Sequence, residues 1–137
     1  MNIKVSFDFD YTLSESHIQE YARELIERGY EVWIVTSRLD AQHYAEEFKT
    51  TLYYGELANK DLFEVANKLG IPEDRIKFTN FQSKWMFLQD KDFALHLDDD
   101  FNENRGILNH TRTRAVNSYG NSSWRIKCER ALNERIK

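Results

Sequence analysis

Apolar residues recur along this chain with two different periods. From residue 3 to residue 9 every second residue is apolar, and this period of two predicts a β-strand. Between residues 18 and 26 the apolar residues recur instead at the spacing of one helix face. Short apolar runs or alternations predict further strands over 32–35, 76–78, 93–97 and 115–118. Helical spacing predicts further helices over 41–49, 62–69, 82–89 and 101–109, and a last one from about 124.

Residues that favour turns and caps lie at the ends of several predicted elements. Ser16 and Gln19 have the spacing of a capping box at the start of the first helix, and Gly29 is placed to end it. Gly70 and Pro72 are placed to stop the helix over 62–69. Residues 50–60 fit neither period well, so the sequence leaves their structure open.

The alternation of strands with helices predicts the fold class. Strands separated by helices pair in parallel through right-handed crossovers. We therefore expect a three-layer α/β domain of Rossmann-like type, with helices on both faces of a mostly parallel sheet of about five strands. The 137 residues contain no repeat and no linker, and they predict a single domain over 1–137.

Composition limits the class of protein. The formal net charge of −4 argues against a non-specific nucleic-acid binder, so we expect nucleic acid only as a substrate. Cys128 is the single cysteine, which rules out an internal disulfide and favours a reducing, cytoplasmic location. We recognise no signal peptide, and no apolar run approaches the roughly 18 residues of a membrane helix.

Polar side chains with chemical potential lie at the ends of the predicted strands. In parallel sheets the active site lies beyond the carboxyl ends of the strands. Asp8 and Asp10 are two positions apart, so on a strand they would face the same site. Lys84 begins a predicted helix shortly before the fourth strand. The strand ends contribute the other candidates, which are Thr12, Thr36, Ser37, Arg38, Asp98 and Asp99.

This set of side chains predicts a bound cation. Carboxyl groups with an ordinary pKa of about 4 are all ionised at neutral pH and repel one another. Oxygen ligands suit a hard ion, and Mg²⁺ in particular binds a few carboxylates together with waters and a substrate phosphate. The sequence offers no Cys/His cluster of the kind that holds zinc.

Four segments of the chain resemble the motifs of the haloacid-dehalogenase superfamily. Asp8-Phe9-Asp10-Tyr11-Thr12 matches its first motif, Asp-x-Asp-x-Thr at the end of a first strand. Thr36 closes an apolar strand like the second motif, and Lys84 at a helix start is similar to the third. The acidic pair Asp98-Asp99 matches the fourth, and the order of the motifs is that of the family.

The resemblance implies a role for each motif residue. Asp8 would be the nucleophile that is transiently phosphorylated, and Asp10 would act as the general acid and base. Thr36 and Lys84 would complete the catalytic set by binding and neutralising the phosphoryl group. The metal ligands implied for Mg²⁺ are Asp8, Asp10 through its backbone carbonyl, Asp98 and Asp99. The substrate-binding residues implied are Thr12, Ser37 and Arg38. Arg38 has an alternative as an ordinary surface ion pair with Asp40 or Glu46.

The spacing of the motifs predicts that no cap domain covers the site. Many relatives insert a cap after the first motif or between the second and the third. Here Thr36 follows Asp10 by 26 positions and Lys84 follows Thr36 by 48, which leaves room only for the predicted elements. An open site suits a large substrate such as a protein, a nucleic-acid end or a lipid head group, or requires a partner.

The resemblance therefore implies a Mg²⁺-dependent phosphohydrolase that acts on a phosphomonoester. The second aspartate of the first motif is typical of phosphatases, so cleavage of carbon–halogen or carbon–phosphorus bonds is not expected. Two alternatives remain. The first is a catalytically weak or inactive binding or regulatory module of the same fold. The second is a phosphate-accepting receiver domain. In receiver domains, however, the acidic pair follows the first strand and the acceptor aspartate follows the third.

Overall fold

Helices and strands alternate along the chain in the predicted order. The computed structural model describes residues 2–120 and 122–136. The strands are β1 Lys4–Phe7, β2 Glu31–Thr36, β3 Ile76–Phe78, β4 Phe93–Asp98 and β5 Arg114–Asn117. The α-helices are α1 Ser16–Glu27, α2 Ala41–Glu47, α3 Leu52–Ala58, α4 Lys60–Leu69, α5 Lys84–Leu88, α6 Phe101–His110 and α7 Trp124–Ile136.

The five strands form one sheet in the order β3-β2-β1-β4-β5. All four neighbouring pairs are parallel, and Phe7 at the end of β1 lies between Ile34 of β2 and Leu97 of β4. After β1 the chain forms β2 and β3 on one side of β1, and it then crosses over to form β4 and β5 on the other side. This reversal of direction opens a crevice at the carboxyl ends of β1 and β4. The predicted α/β Rossmann-like fold is confirmed.

Helices cover both faces of the sheet and give it three layers. On one face, buried residues of α1, α4 and α7 pack against Phe7 and its neighbours in one large core. On the other face, α5 and α6 contribute to a smaller core around Val35 and Phe93. Strand β4 is buried along its whole length, as expected for a central strand with helices on both sides.

Two local predictions differ from the structure, and the stretch that the sequence left open forms a helix. Strand β1 ends at Phe7, not at residue 9, because the backbone turns there. The capping box is wrong: Glu15 is the N-cap of α1 without a side-chain bond, and Gln19 Nε2 donates to the Ser14 carbonyl. Residues 52–58, which the sequence left open, form α3. This helix lies so close to α2 that a Cβ on Gly55 would be 2.2 Å from the Ala41 oxygen.

The two glycines predicted to end helices do follow the ends of α1 and α4. Helix α4 ends at Leu69, and Gly70 follows with a left-handed φ of 77°. Helix α1 ends at Glu27, and Gly29 follows with a φ of 92°. These backbone conformations are unstrained in glycine because it has no Cβ.

The segments between the motifs contain only these elements. A turn and α1 fill the interval between β1 and β2, while α2, α3, α4, a short 3₁₀ turn and β3 fill the interval between β2 and α5. Within residues 2–120 and 122–136 no further domain covers the carboxyl edge of the sheet. In the same residues, no helix combines the length and the apolar character needed to span a bilayer.

Candidate active site

The candidate site lies at the carboxyl ends of the two central strands. Asp8 follows β1 directly, and its backbone N–H donates to the Leu97 carbonyl at 2.9 Å, which continues the pairing of β1 with β4. Asp98 is the last residue of β4, and Lys84 is the first residue of α5. The parallel pairing of β1 and β4 therefore brings together two carboxylates that are 90 positions apart in the sequence.

Lys84 bridges the two carboxylates. Its Nζ donates to Asp8 Oδ1 at 2.8 Å and to Asp98 Oδ2 at 2.6 Å, and only 2% of the residue is exposed. Burial alone would lower the pKa of Lys84, but the two carboxylates outweigh it and raise that pKa. The ammonium therefore stays charged inside the protein.

The two carboxyl groups respond to this environment in opposite directions. Burial and the nearby Asp98 charge raise the pKa of Asp8 well above its ordinary value, and Lys84 opposes them only in part. Burial would also raise the pKa of Asp98, but His96 and Lys84 outweigh it and hold that pKa well below its usual range. The ammonium therefore lies between two carboxyl groups whose pKa values the site moves in opposite directions.

Asp98 is held by a buried series of hydrogen bonds that runs through His96 to Ser6. His96 is fully buried, with Nδ1 at 2.7 Å from Ser6 Oγ and Nε2 at 2.7 Å from Asp98 Oδ2. An ionised carboxylate only accepts, so Nε2 carries a hydrogen. Burial lowers the pKa of His96, and on the neutral ring Nδ1 then accepts from the Ser6 hydroxyl. Asp98 Oδ1 accepts from the backbone of Asp100 at 3.0 Å.

Three carboxylates at this edge can hold a metal ion. Asp8, Asp98 and Asp99 each offer one oxygen, and these oxygens all lie within 4.8 Å of one another. A donor set made only of carboxylate oxygens fits a hard divalent cation such as Mg²⁺. The carboxylate of Asp10 does not belong to this group, and the predicted contact of a metal with the Asp10 backbone carbonyl stays a prediction.

The carboxylate of Asp10 is bound elsewhere. Asp10 has an extended backbone, and Tyr11 follows with a left-handed φ of 59°, so the chain turns before a strand can carry both aspartates on one face. Both Asp10 oxygens accept from Arg38, at 2.7 Å from Nη2 and 3.0 Å from Nε. Asp8 and Asp10 still line the same cavity, but a turn places Asp10 there instead of strand alternation.

Arg38 forms ion pairs that the sequence did not predict. Its guanidinium donates to Asp10 and also to both oxygens of Asp61, at 2.8 Å and 3.0 Å. Hydrogen bonds to Asp61 and then to Asp10 raise the pKa of Arg38. The predicted alternative partners were wrong: Asp40 instead caps α2 through the backbone of His43.

The hydroxyl residues of the motifs have mainly internal contacts. Thr36 is fully buried, and its Oγ1 accepts from the Arg38 backbone at 3.2 Å, which shapes the turn after β2. Thr12 is also buried, and its Oγ1 donates to Asp99 Oδ1 at 3.3 Å. Ser37 lines the cavity beside Asp8. Thr12, Thr36 and Arg38 are not among the residues that line it.

An open cavity of about 450 Å³ contains the cluster. It brings together six predicted site residues, which are Asp8, Asp10, Ser37, Lys84, Asp98 and Asp99. Asp100 also lines it and caps α6 by accepting from the Asn102 and Glu103 backbone N–H groups. A larger cavity of about 610 Å³ between α6, β5 and α7 is lined by a single carboxylate, so we place the chemistry in the smaller one.

Sequence reasoning missed several residues around the cavity, among them Phe81, Glu103 and Asp61. Phe81 and Glu103 line it, and Asp61 anchors Arg38 beside it. Glu103 lies three positions after the cap residue Asp100, a spacing that could have indicated it. Nothing local marks Phe81 or Asp61, because their positions depend on how the loop after β3 and helix α4 pack against the end of β2.

Comparisons with known proteins leave this site to be interpreted from its own geometry. No protein-family model matches the chain, and no curated protein sequence matches it. The acidic cluster, its buried lysine and the parallel sheet that positions them are therefore the basis of any functional assignment.

Proposed function

We propose that this chain is a Mg²⁺-dependent phosphohydrolase that transfers the phosphoryl group of a phosphomonoester to Asp8. One observation carries the proposal. The Asp8 carboxylate lies in a cavity, 2.8 Å from a buried lysine ammonium and within reach of two further carboxylates that can hold a cation. A nucleophile beside concentrated positive charge is what phosphoryl transfer requires, because both reactants are anionic.

Each residue has a defined part in the proposed reaction. An Asp8 oxygen attacks phosphorus, a new oxygen–phosphorus bond forms, and the bond from phosphorus to the substrate alcohol breaks. Asp10, which lines the same cavity, donates a proton to the leaving alcohol oxygen. Asp10 then takes a proton from the water that attacks the phosphorylated Asp8 and releases inorganic phosphate. Lys84 neutralises Asp8 throughout.

The same carboxylates provide the place for Mg²⁺. Asp8, Asp98 and Asp99 would hold the ion through one oxygen each. When bound, it supplies positive charge that offsets the repulsion between the carboxylates and the substrate phosphate. Both oxygens of Asp98 already accept hydrogen bonds from the protein, so Asp98 is held in place before any ion binds.

Phosphate release from a panel of phosphomonoesters tests the proposal. The panel contains aryl, sugar, nucleotide, oligonucleotide and peptide phosphates, each with Mg²⁺ or with a chelator. We expect release that requires Mg²⁺ and that disappears in Asp8→Asn. Asp90→Asn is the matched control, because Asp90 is exposed and lies outside the cavity. Equal release by Asp8→Asn and the unaltered protein would contradict the proposal.

A second function, a binding or regulatory module of the same fold, is favoured by the Asp10–Arg38 pair. Both Asp10 oxygens accept from Arg38, so a proton transfer by Asp10 has to proceed from within this ion pair. A module of this kind would bind Mg²⁺ and a phosphate analogue without turnover. Calorimetric binding together with the absence of phosphate release from the whole panel would select it.

A further inference from the structure

Two large aromatic side chains lie exposed at the edge of the candidate site. Tyr11 is 75% exposed and Phe81 is 71% exposed, and both line the cavity that contains Asp8. They come from different loops, one after β1 and the other after β3. Neither ring belongs to the buried cores of the domain, so packing does not account for their size.

The backbone at both positions favours glycine. Tyr11 has a φ of 59° and Phe81 a φ of 69°, and Asn80 before it also has a positive φ of 54°. A side chain with a Cβ is strained in this region, and a bulky residue is uncommon there. The chain thus accepts backbone strain and an exposed apolar surface at the same two positions. Such strain is concentrated at ligand-binding sites.

Hydrogen bonds fix the loops that carry the rings. The Tyr11 N–H donates to Ser14 Oγ at 3.1 Å. The Phe81 N–H donates to the Ser37 carbonyl at 2.8 Å, and the Asn80 N–H donates to the Arg38 carbonyl at 3.2 Å. The backbone beneath each ring is therefore held before a ligand arrives, which reduces the ordering that binding requires.

The charge of the cavity restricts what can bind beside the phosphate. Its lining includes one cationic side chain, Lys84, and six acidic ones: Asp8, Asp10, Asp98, Asp99, Asp100 and Glu103. A bound cation and Lys84 can neutralise one phosphoryl group, but a second phosphate of a polynucleotide would face the remaining carboxylates of the lining. Attraction to the organic part of a substrate must therefore come from uncharged groups, and stacking on an aromatic ring is of this kind.

We propose that Tyr11 and Phe81 form a subsite for a planar ring, and that the substrate is a small phosphomonoester with an aromatic or heteroaromatic ring near its phosphate. This inference rests on the proposed function in so far as Asp8 receives the phosphoryl group. A mononucleotide or an arylalkyl phosphate fits the description, and the cavity of about 450 Å³ is within the range of small-ligand sites. A polynucleotide end or a phosphoprotein does not fit it.

Two matched substrates test the subsite. Benzyl phosphate and cyclohexylmethyl phosphate have the same linkage and similar leaving alcohols, but only the first carries a planar ring. We expect kcat/KM to favour benzyl phosphate. Tyr11→Gly and Phe81→Gly should each lower its kcat/KM by about tenfold through KM, the range of one stacked ring, and change the other substrate less than about threefold.

Stability measurements separate a lost subsite from a damaged fold. Glycine relieves the positive φ, so the urea midpoints of both variants should stay equal to that of the unaltered protein or rise. Tyr53→Ala is the matched control, because Tyr53 is 62% exposed and lines a different cavity. It should leave both kcat/KM values unchanged.

Equilibrium binding distinguishes failure of the subsite from failure of the proposed function. Benzylphosphonate and cyclohexylmethylphosphonate, which have no phosphate ester bond to hydrolyse, are titrated with Mg²⁺ into the unaltered protein and into Phe81→Gly. Ring-selective binding that Phe81→Gly weakens, in a protein that releases no phosphate, would support the subsite and overturn the phosphohydrolase. Phosphate release without a preference for the ring, unchanged by either glycine variant, would overturn the subsite alone. Neither release nor binding would overturn both.

Discussion

The ammonium of Lys84 is the charge on which the buried carboxylates of the site depend. Its Nζ lies 2.8 Å from Asp8 Oδ1 and 2.6 Å from Asp98 Oδ2, and both carboxyl groups are buried with it. Lys84→Met keeps a side chain of similar length and removes the charge. The variant leaves Asp98 with His96 as its remaining side-chain donor and leaves Asp8 beside another carboxylate.

The expected cost follows from these distances. At an effective dielectric constant of about 20, two opposite charges 2.8 Å apart attract by about 6 kcal/mol. Most of this attraction is offset by the desolvation of the ions, and removal of one partner of a buried pair typically costs about 3–5 kcal/mol. We therefore expect Lys84→Met to lower the free energy of unfolding by about 3–5 kcal/mol, a large share of the total for a small domain.

Urea unfolding followed by tryptophan fluorescence measures this cost. Lys60→Met is the control, because Lys60 is 68% exposed and its 3.9 Å contact with Glu64 lies on the surface of α4. That change should alter the free energy of unfolding by less than about 0.5 kcal/mol. Addition of Asp8→Asn to Lys84→Met should recover part of the loss, because it removes one uncompensated charge. Equal effects of Lys84→Met and Lys60→Met would refute this reasoning.

Three further predictions concern other parts of the fold. Burial raises the pKa of Cys128 to about 12, so at pH 8 a thiol reagent should react slowly with the native protein and quickly in urea. Gly55→Ala should lower the free energy of unfolding by about 1–3 kcal/mol in urea titrations, because its Cβ would lie 2.2 Å from the Ala41 oxygen. His96→Leu should cost about 1–3 kcal/mol by the same assay, since Asp98 loses a buried donor.

The Gly55 and His96 predictions each have a matched control variant. Gly106→Ala should cost less than Gly55→Ala, because its Cβ would meet the side chain of Trp85, which can move, instead of backbone. His96→Gln should recover part of the loss, since an amide can still donate. Fast labelling of native Cys128, or equal costs within either pair of variants, would contradict the corresponding prediction.

The fold could be predicted from the sequence because its signals are local. The period of two before Asp8, the apolar run before Thr36 and the glycine after Leu69 each mark an element or its end. Parallel pairing then follows from the alternation of strands and helices. Asp8 and Asp98 could be placed at one edge of the sheet for the same reason, since Asp8 follows β1 and Asp98 ends β4.

The finer structure of the site depends on contacts that local patterns do not record. The alternation of apolar residues continues through Phe9, so it gave no sign that the strand stops at Phe7 and that Tyr11 turns the chain. Arg38 pairs with Asp61, 23 positions away, because α4 begins beside the end of β2. Helix α3 was not predicted, because its few buried contacts leave no apolar stripe in the sequence.

A covalent phosphoryl group on Asp8 tests the central claim most directly. The protein is mixed with its best substrate and Mg²⁺, quenched in acid, reduced with borohydride and digested for mass spectrometry. Reduction converts a phosphorylated aspartate into homoserine, so the modified position can be read from the peptides. We predict homoserine at position 8, dependent on both substrate and Mg²⁺. Phosphate release with no homoserine at position 8, or with homoserine at Asp10 instead, would contradict the account.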